Sequence, residues 1–244
     1  MLLSTSALLT TSVLLAACGG GGDAGPSGTA REEGGDTGPF RSLTFQVGID
    51  PAAPGTEAAP QGVTLDLSLT LGKAQDVEPP QVQTLDVDFP DGSAYHGGDY
   101  PACSAARLDA RGPSGCPEGS VMGEGTLEAL ADIAKSPGRI TVVNGGADRL
   151  YFWTELDRPA RVEAAVVGTI TAHEGGGYGL SLKIPDKLQV VAGVPIAIRQ
   201  LHVQAGHENW MATTGCPDDS WTFTGAATFN DGSDIKRDTE VECD

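Results

Sequence analysis

In Val63-Thr64-Leu65-Asp66-Leu67-Ser68-Leu69-Thr70-Leu71 every odd position is apolar and every even position polar. A period of two sends successive side chains to opposite faces of a strand, so this stretch is a half-buried strand and not a helix. Leu85, Val87 and Phe89 alternate with Thr84, Asp86 and Asp88, and Leu180, Leu182 and Ile184 with Ser181 and Lys183. Trp221, Phe223 and Phe229 share one parity opposite Thr222, Thr224 and Thr228. Further strands are expected over residues 43–49, 140–143, 150–156 and 196–205. Residues 164–170 are apolar at both parities, as for a strand covered on both faces. Turn clusters such as Asp91-Gly92, Asn144-Gly145-Gly146 and Asn230-Asp231-Gly232 separate the strands. Only Leu127, Leu130, Ala131 and Ala134 have helical spacing, which predicts one short helix. Many short strands without βα alternation indicate an all-β fold, an antiparallel β-sandwich. It would form one elongated domain over residues 40–244, with room for two lobes and a sub-boundary at Lys135-Ser136-Pro137-Gly138.

The N-terminus reads differently. Its first 17 residues carry no charge and are mostly Leu, Ala, Ser and Thr. The apolar run is short and ends in small residues, as in an export signal. Leu15-Ala16-Ala17-Cys18 resembles the bacterial lipobox, in which the residue after cleavage is a cysteine that receives a diacylglyceryl thioether. That resemblance implies a signal peptide over 1–17, lipidation at Cys18 and attachment to the outer face of the cell membrane. No Lys or Arg precedes the run, a departure from the usual basic leader. Residues 18–39 are rich in Gly, Ser and acid without periodicity, the composition of a disordered tether.

Four cysteines then remain: Cys103, Cys116, Cys216 and Cys243. An even number in an exported chain reads as two disulfides, with three connectivities open. The nearest-neighbour pairing, Cys103–Cys116 and Cys216–Cys243, closes two local loops and is the expected one. No CxxC pair or neighbouring His supports zinc instead.

Phe89-Pro90-Asp91-Gly92, Pro101-Ala102-Cys103, Cys116-Pro117, Ser120 and Gly123-Glu124-Gly125 together resemble a pattern in secreted, lipid-anchored β-rich proteins of high-GC actinobacteria. The later Gly176-Gly177-Tyr178-Gly179-Leu180 and Cys216-Pro217…Trp221 are similar to the second half of those proteins. The resemblance implies export and β architecture and assigns no catalytic residue.

Chemistry-bearing residues are sparse. His173-Glu174-Gly175-Gly176-Gly177 lacks the Lys-Ser/Thr that closes a phosphate loop and joins two strand patterns, so a hairpin turn is expected. His202 lies on the polar parity of its strand, and strand spacing puts His207 on the opposite face, against a shared metal with Glu208. Ser120, His96 and Asp99 could be assembled as a triad on paper, but no G-x-S-x-G elbow exists. Asp86/Asp88 and Glu155/Asp157 are carboxylate pairs of the kind expected on any solvated strand face among 33 acids. Asp231, Ser233 and Asp234 supply only part of a calcium loop. Tyr151 and Trp153 share a face: exposed, they are a candidate ligand-binding platform for sugar stacking; buried, they are core. No catalytic set, metal site or cofactor loop is assigned.

A net charge of −18 argues against nucleic acid and against anionic membrane surfaces as partners. The resulting expectation is a non-catalytic, lipid-anchored surface module with a glycan or protein partner. The alternative is an extracellular hydrolase acting on glycans or esters. Cells fed an alkyne fatty acid should label the wild-type chain, and Cys18→Ala should abolish that labelling; equal labelling of the two ends the lipobox reading.

Overall fold

The computed structural model describes residues 30–31, 42–72, 80–174 and 176–244. Cys18, the expected signal peptide and all of the expected tether except residues 30–31 lie outside them. In chain order the strands are β1 (Ala30–Arg31), β2 (Ser42–Asp50), β3 (Gln61–Gly62), β4 (Thr64–Gly72), β5 (Val82–Phe89) and β6 (Ser93–Tyr95). Helix α1 (Ala105–Arg111) precedes β7 (Val121–Ala131), β8 (Ala134–Asn144), β9 (Arg149–Leu156), β10 (Val162–Ala172) and β11 (Tyr178–Lys183). A single turn, α2 (Asp186–Gln189), leads to β12 (Val190–Val191), β13 (Val194–Ala205), β14 (Met211–Thr213), β15 (Ser220–Phe229) and β16 (Asp234–Glu242).

The fold is all-β and antiparallel. One large sheet runs β1-β16-β15-β5-β11-β10-β9-β8-β7-β13-β4-β2, with β12 added beside β13. It curls until its ends meet, where the Thr239 hydroxyl of β16 donates to the Phe45 carbonyl of β2. Where a sandwich buries apolar faces of two separate sheets, here one continuous sheet closes almost into a barrel on its own apolar face. A sheet of this width with one apolar face has no other way to bury it.

The alternation holds in detail. Leu43, Phe45, Val47 and Ile49 of β2 point inward, as do Leu65, Leu69 and Leu71 of β4 and Trp221, Phe223 and Phe229 of β15. The outward positions of β4 and β13 are Thr, Asp, Ser, Gln and His, the inverse of a lipid-facing barrel, whose outer band must be apolar. No helix among the described residues is long and apolar enough to cross a membrane.

Two sequence expectations are corrected. The predicted helix near Leu127–Ala134 is the tip of the β7–β8 hairpin, closed by Asp132 at φ 57° and Ile133. Apolar residues at 127, 129 and 131 face the interior at strand period, and pairing with β13 overrides their weak helical spacing. Lys135–Gly138, the expected sub-boundary, lies inside β8, with Pro137 opposite Glu128 and Gly138 opposite Leu127. The sheet is unbroken there.

The barrel has two unlike ends. At one, a small sheet β3-β14-β6 lies over the interior, and Phe89 stacks on Tyr178 at 4.3 Å with Phe223 edge-on at 5.6 Å. Asn144, at the end of β8, is fully buried there. Its amide nitrogen donates to the carbonyls of Gly97, Pro101 and Tyr100 at 2.9, 3.1 and 3.3 Å. Its Oδ1 accepts from the Tyr95 hydroxyl at 3.0 Å, Gly146 N–H at 3.3 Å and Trp210 Nε1 at 3.4 Å. Burial pushes the Tyr95 phenol well above its usual range, so it remains a donor. Among the described residues, α2 and the hairpin turns lie at the opposite end.

Both expected disulfides form, with Cα separations of 5.2 Å for Cys103–Cys116 and 6.6 Å for Cys216–Cys243. Each closes a short loop and contributes on the order of 3 kcal/mol. Cys116-Pro117-Glu118-Gly119-Ser120 and Cys216-Pro217-Asp218-Asp219-Ser220 do one job: the serine N–H bonds back to the proline carbonyl where a strand begins.

Asn144→Ala strips partners from three carbonyls, one hydroxyl, one indole and one backbone N–H at once. It should cost on the order of 3 kcal/mol in urea unfolding, against about 1 kcal/mol for Tyr95→Phe.

Candidate functional site

The structure disperses the sequence candidates. Ser120 is fully buried and its hydroxyl donates to the Pro117 carbonyl at 2.6 Å, while His96 Nδ1 lies 2.8 Å from the Asn209 carbonyl. Each is committed to a different partner, so the paper triad does not assemble. Glu155 is engaged by Arg139 at 3.5 Å and Arg161 at 3.4 Å, and Asp157 by Arg139 at 3.9 Å. Asp88 lies 3.7 Å from His173, whose segment is the β10–β11 hairpin turn. Asp231 accepts from Ser233 N–H and Oγ at 2.9 and 2.6 Å, and those bonds hold its carboxyl below the usual range. It shapes a turn. Among the described residues, no three His, Cys, Asp or Glu side chains are grouped to hold a metal.

Tyr151 and Trp153 are 3% and 6% exposed. As candidate ligand-binding residues they are therefore corrected to core. They share a face, but that outer face of β9 is covered by α1, whose Leu108 packs with Cys103, Val143, Tyr151 and Trp153. α1 itself is fixed by the Ser104 N-cap and by the Cys103–Cys116 bridge that brackets it. The strand covered on both faces is thus chiefly β9, next to the stretch whose composition suggested one; Val167 of β10 is 39% exposed.

A wide concavity lies on the outer face of β2, β4, β13 and β7. It measures about 680 Å³ and is lined by Gly48, Asp50, Thr64, Asp66, Glu124 and Gln204 among others. A second depression of about 370 Å³ adjoins it, with Ser68, Thr70, Thr126, Glu128, Gln200 and His202. Register explains the arrangement. Gln204 sits between Asp66 and Glu124, His202 between Ser68 and Thr126, and Gln200 between Thr70 and Glu128. Three rungs of hydrogen-bonding side chains therefore cross three strands. Gly48, opposite Asp66, contributes no side chain and leaves that rung open on its β2 side.

His202 Nε2 lies 2.9 Å from Asp66 Oδ1 and joins the two depressions. The pair is about half exposed, so its own contribution to stability is small. Ser68 and Thr126 flank the imidazole in register. Here the backbone N–H groups are spent in the sheet ladder, so the face presents no backbone oxyanion donor. The arrangement suits recognition of hydroxyls or cations by hydrogen bonds. Sequence reasoning found the outward parity of β4 and β13 but not this site, because strand order across the sheet leaves no mark on local alternation.

No protein-family model, curated protein sequence or solved structure matches this chain.

Trp153→Ala tests the corrected assignment. It should cost on the order of 3–5 kcal/mol in stability, as for a buried aromatic, and leave ligand binding by the outer groove unchanged.

Proposed function

We propose that this chain is an exported, lipid-anchored, non-catalytic binding module that takes a hydroxyl-rich ligand, a glycan, in the groove over β4, β13 and β7. The observation that carries the reading is the three-rung ladder. Carboxylates, amides, hydroxyls and an imidazole stand together on one open face, whereas the Ser120, His96 and Asp99 set does not assemble among the described residues. Sugar hydroxyls donate and accept at once, and the alternation of Asp and Glu with Gln and Thr meets both needs. The Leu15-Ala16-Ala17-Cys18 boundary and the two disulfides support placement outside the cytoplasmic membrane. The likeness to secreted actinobacterial proteins supports the same placement.

A glycan array probed with the full-length Cys18→Ser protein tests the reading. Binding should fall about tenfold or more in Gln204→Ala and in Asp66→Ala, as expected for loss of a hydrogen bond to a charged or polar group. A parallel screen for esterase and glycosidase turnover decides against the alternative. Turnover that survives repurification and disappears in Asp66→Asn or Glu124→Gln would replace the binding module with a hydrolase.

A further inference from the structure

Glycine inside a strand weakens it, because it loses the most conformational freedom on folding and packs no side chain. Three conditions favour it there: a neighbour that leaves no room for a Cβ, a bulge or positive φ, or the close approach of a ligand. Nearly all the strand glycines of this barrel meet the first. A Cβ at Gly123 would collide with the Gln204 carbonyl and one at Gly125 with the His202 carbonyl. At Gly138 it would lie 2.7 Å from the Glu155 carbonyl, and at Gly225 2.7 Å from the Phe45 ring. Gly62, Gly72, Gly168 and Gly179 would each meet an atom at 3.1 Å or less.

Gly48, in β2, is the exception. Among the described residues, a Cβ there would meet only Asp66, 3.5 Å from its Cβ and 3.9 Å from its carbonyl oxygen, which is ordinary contact. Its φ is not positive, and β2 pairs with β4 without a bulge from Ser42 to Asp50. Neither packing nor backbone geometry asks for glycine at this position. The approach of a ligand is the condition that remains.

The place fits that reading. Gly48 lies in the wider of the two outer depressions, opposite Asp66 and on the same face of β2 as Gln46 and Asp50. Gln46 and Asp50 are four residues apart, roughly 13 Å along the strand, and the missing side chain between them opens a notch for one six-membered ring. Asp66 stands at its side, held by His202 Nε2 at 2.9 Å. The depression is lined by the carboxylates of Asp50, Asp66 and Glu124, and no described lining residue is Lys or Arg. Carboxylates accept from hydroxyls and repel other anions.

We infer that Gly48 is a specificity-determining residue: it seats one pyranose ring that carries no anionic substituent. The ring rests on the β2 backbone at Gly48 and donates a hydroxyl to the Asp66 carboxylate, while Asp50 and Glu124 turn away uronate, sulfate and phosphate groups. This rests on the glycan reading above and adds to it the seat of the ring and its charge class.

The test uses the full-length Cys18→Ser protein on an array that pairs neutral glycans with uronate-bearing and sulfated counterparts, followed by titration of the strongest neutral ligand. Gly48→Ala puts one methyl group on the floor of the notch and Gly48→Val an isopropyl group. Affinity should fall about tenfold in Gly48→Ala and further in Gly48→Val, as for overfilling a fitted contact. The melting temperature should hold or rise in both, because either residue suits a strand interior better than glycine. Thr44→Val, on the same face of β2 but outside both depressions, should leave affinity unchanged. If Gly48→Val does not fold, Gly48→Ala decides alone. A melting temperature that drops in Gly48→Ala makes the glycine structural and overturns the inference. Affinity that is lost in Gln204→Ala but unchanged in Gly48→Ala overturns the seat and leaves the glycan groove standing. Anionic counterparts bound as well as the neutral ones overturn the charge class. A protein that binds nothing on the array overturns the groove and the seat together.

Discussion

The side chain of Asn144 is the fixed point of this molecule. It is fully buried, and both ends of its amide are satisfied by groups from the β6 strand, the loop after it, the β8–β9 turn and Trp210. Its backbone extends the junction: its N–H donates to Ser120 at 2.8 Å and its carbonyl accepts from Cys103 at 2.9 Å. A buried amide is costly unless every partner is present, so this network is either complete or a liability. Being complete, it fixes the closed end of the barrel, the disulfide loop carrying α1, and the small sheet over the interior in one arrangement.

That rigidity at one end gives the other its character. The closed end is filled by stacked and edge-on aromatic rings and by polar groups that all find partners. Among the described residues, the other end is packed by one helical turn and aliphatic side chains that leave space between facing walls. Packing energy is distributed accordingly, and opening is expected where fewest contacts must be broken. The outer groove begins at the closed end, where Asp50, Thr64, Gly123 and Gly206 line its larger depression, and continues along the wall. It lies on the barrel wall, where four long strands hold the polar rungs at sheet spacing and a ligand would meet a preformed surface.

Aromatic residues show why composition misleads about sites. A chain with 5% aromatics could place Tyr151 and Trp153 as a platform or as core. The decision fell to α1, since a helix pinned by a disulfide covers that face of β9 and buries both rings. The same cover makes β9 apolar on both faces, whereas β2 and β15 alternate cleanly.

The sequence by itself determined most of the strands with their inward faces, the turns, and which of three cysteine pairings to expect. It marked no strand for β16 and showed helical spacing for the end of β7. Period-two alternation in residues 63–71 or 220–229 is a local consequence of one wet and one dry face, and short disulfide loops close between near neighbours. Even Asn144-Gly145-Gly146 was legible as a turn, though not as a hub, because all its side-chain partners except Gly146 are contributed by segments far along the chain. Tertiary structure alone decided that one sheet curls into a barrel and that β13 lies between β4 and β7. Asp66, His202, Gln204 and Glu124 therefore became neighbours only through pairing of strands remote in sequence. Local pattern specifies which way a side chain points; the order of strands specifies what it points beside.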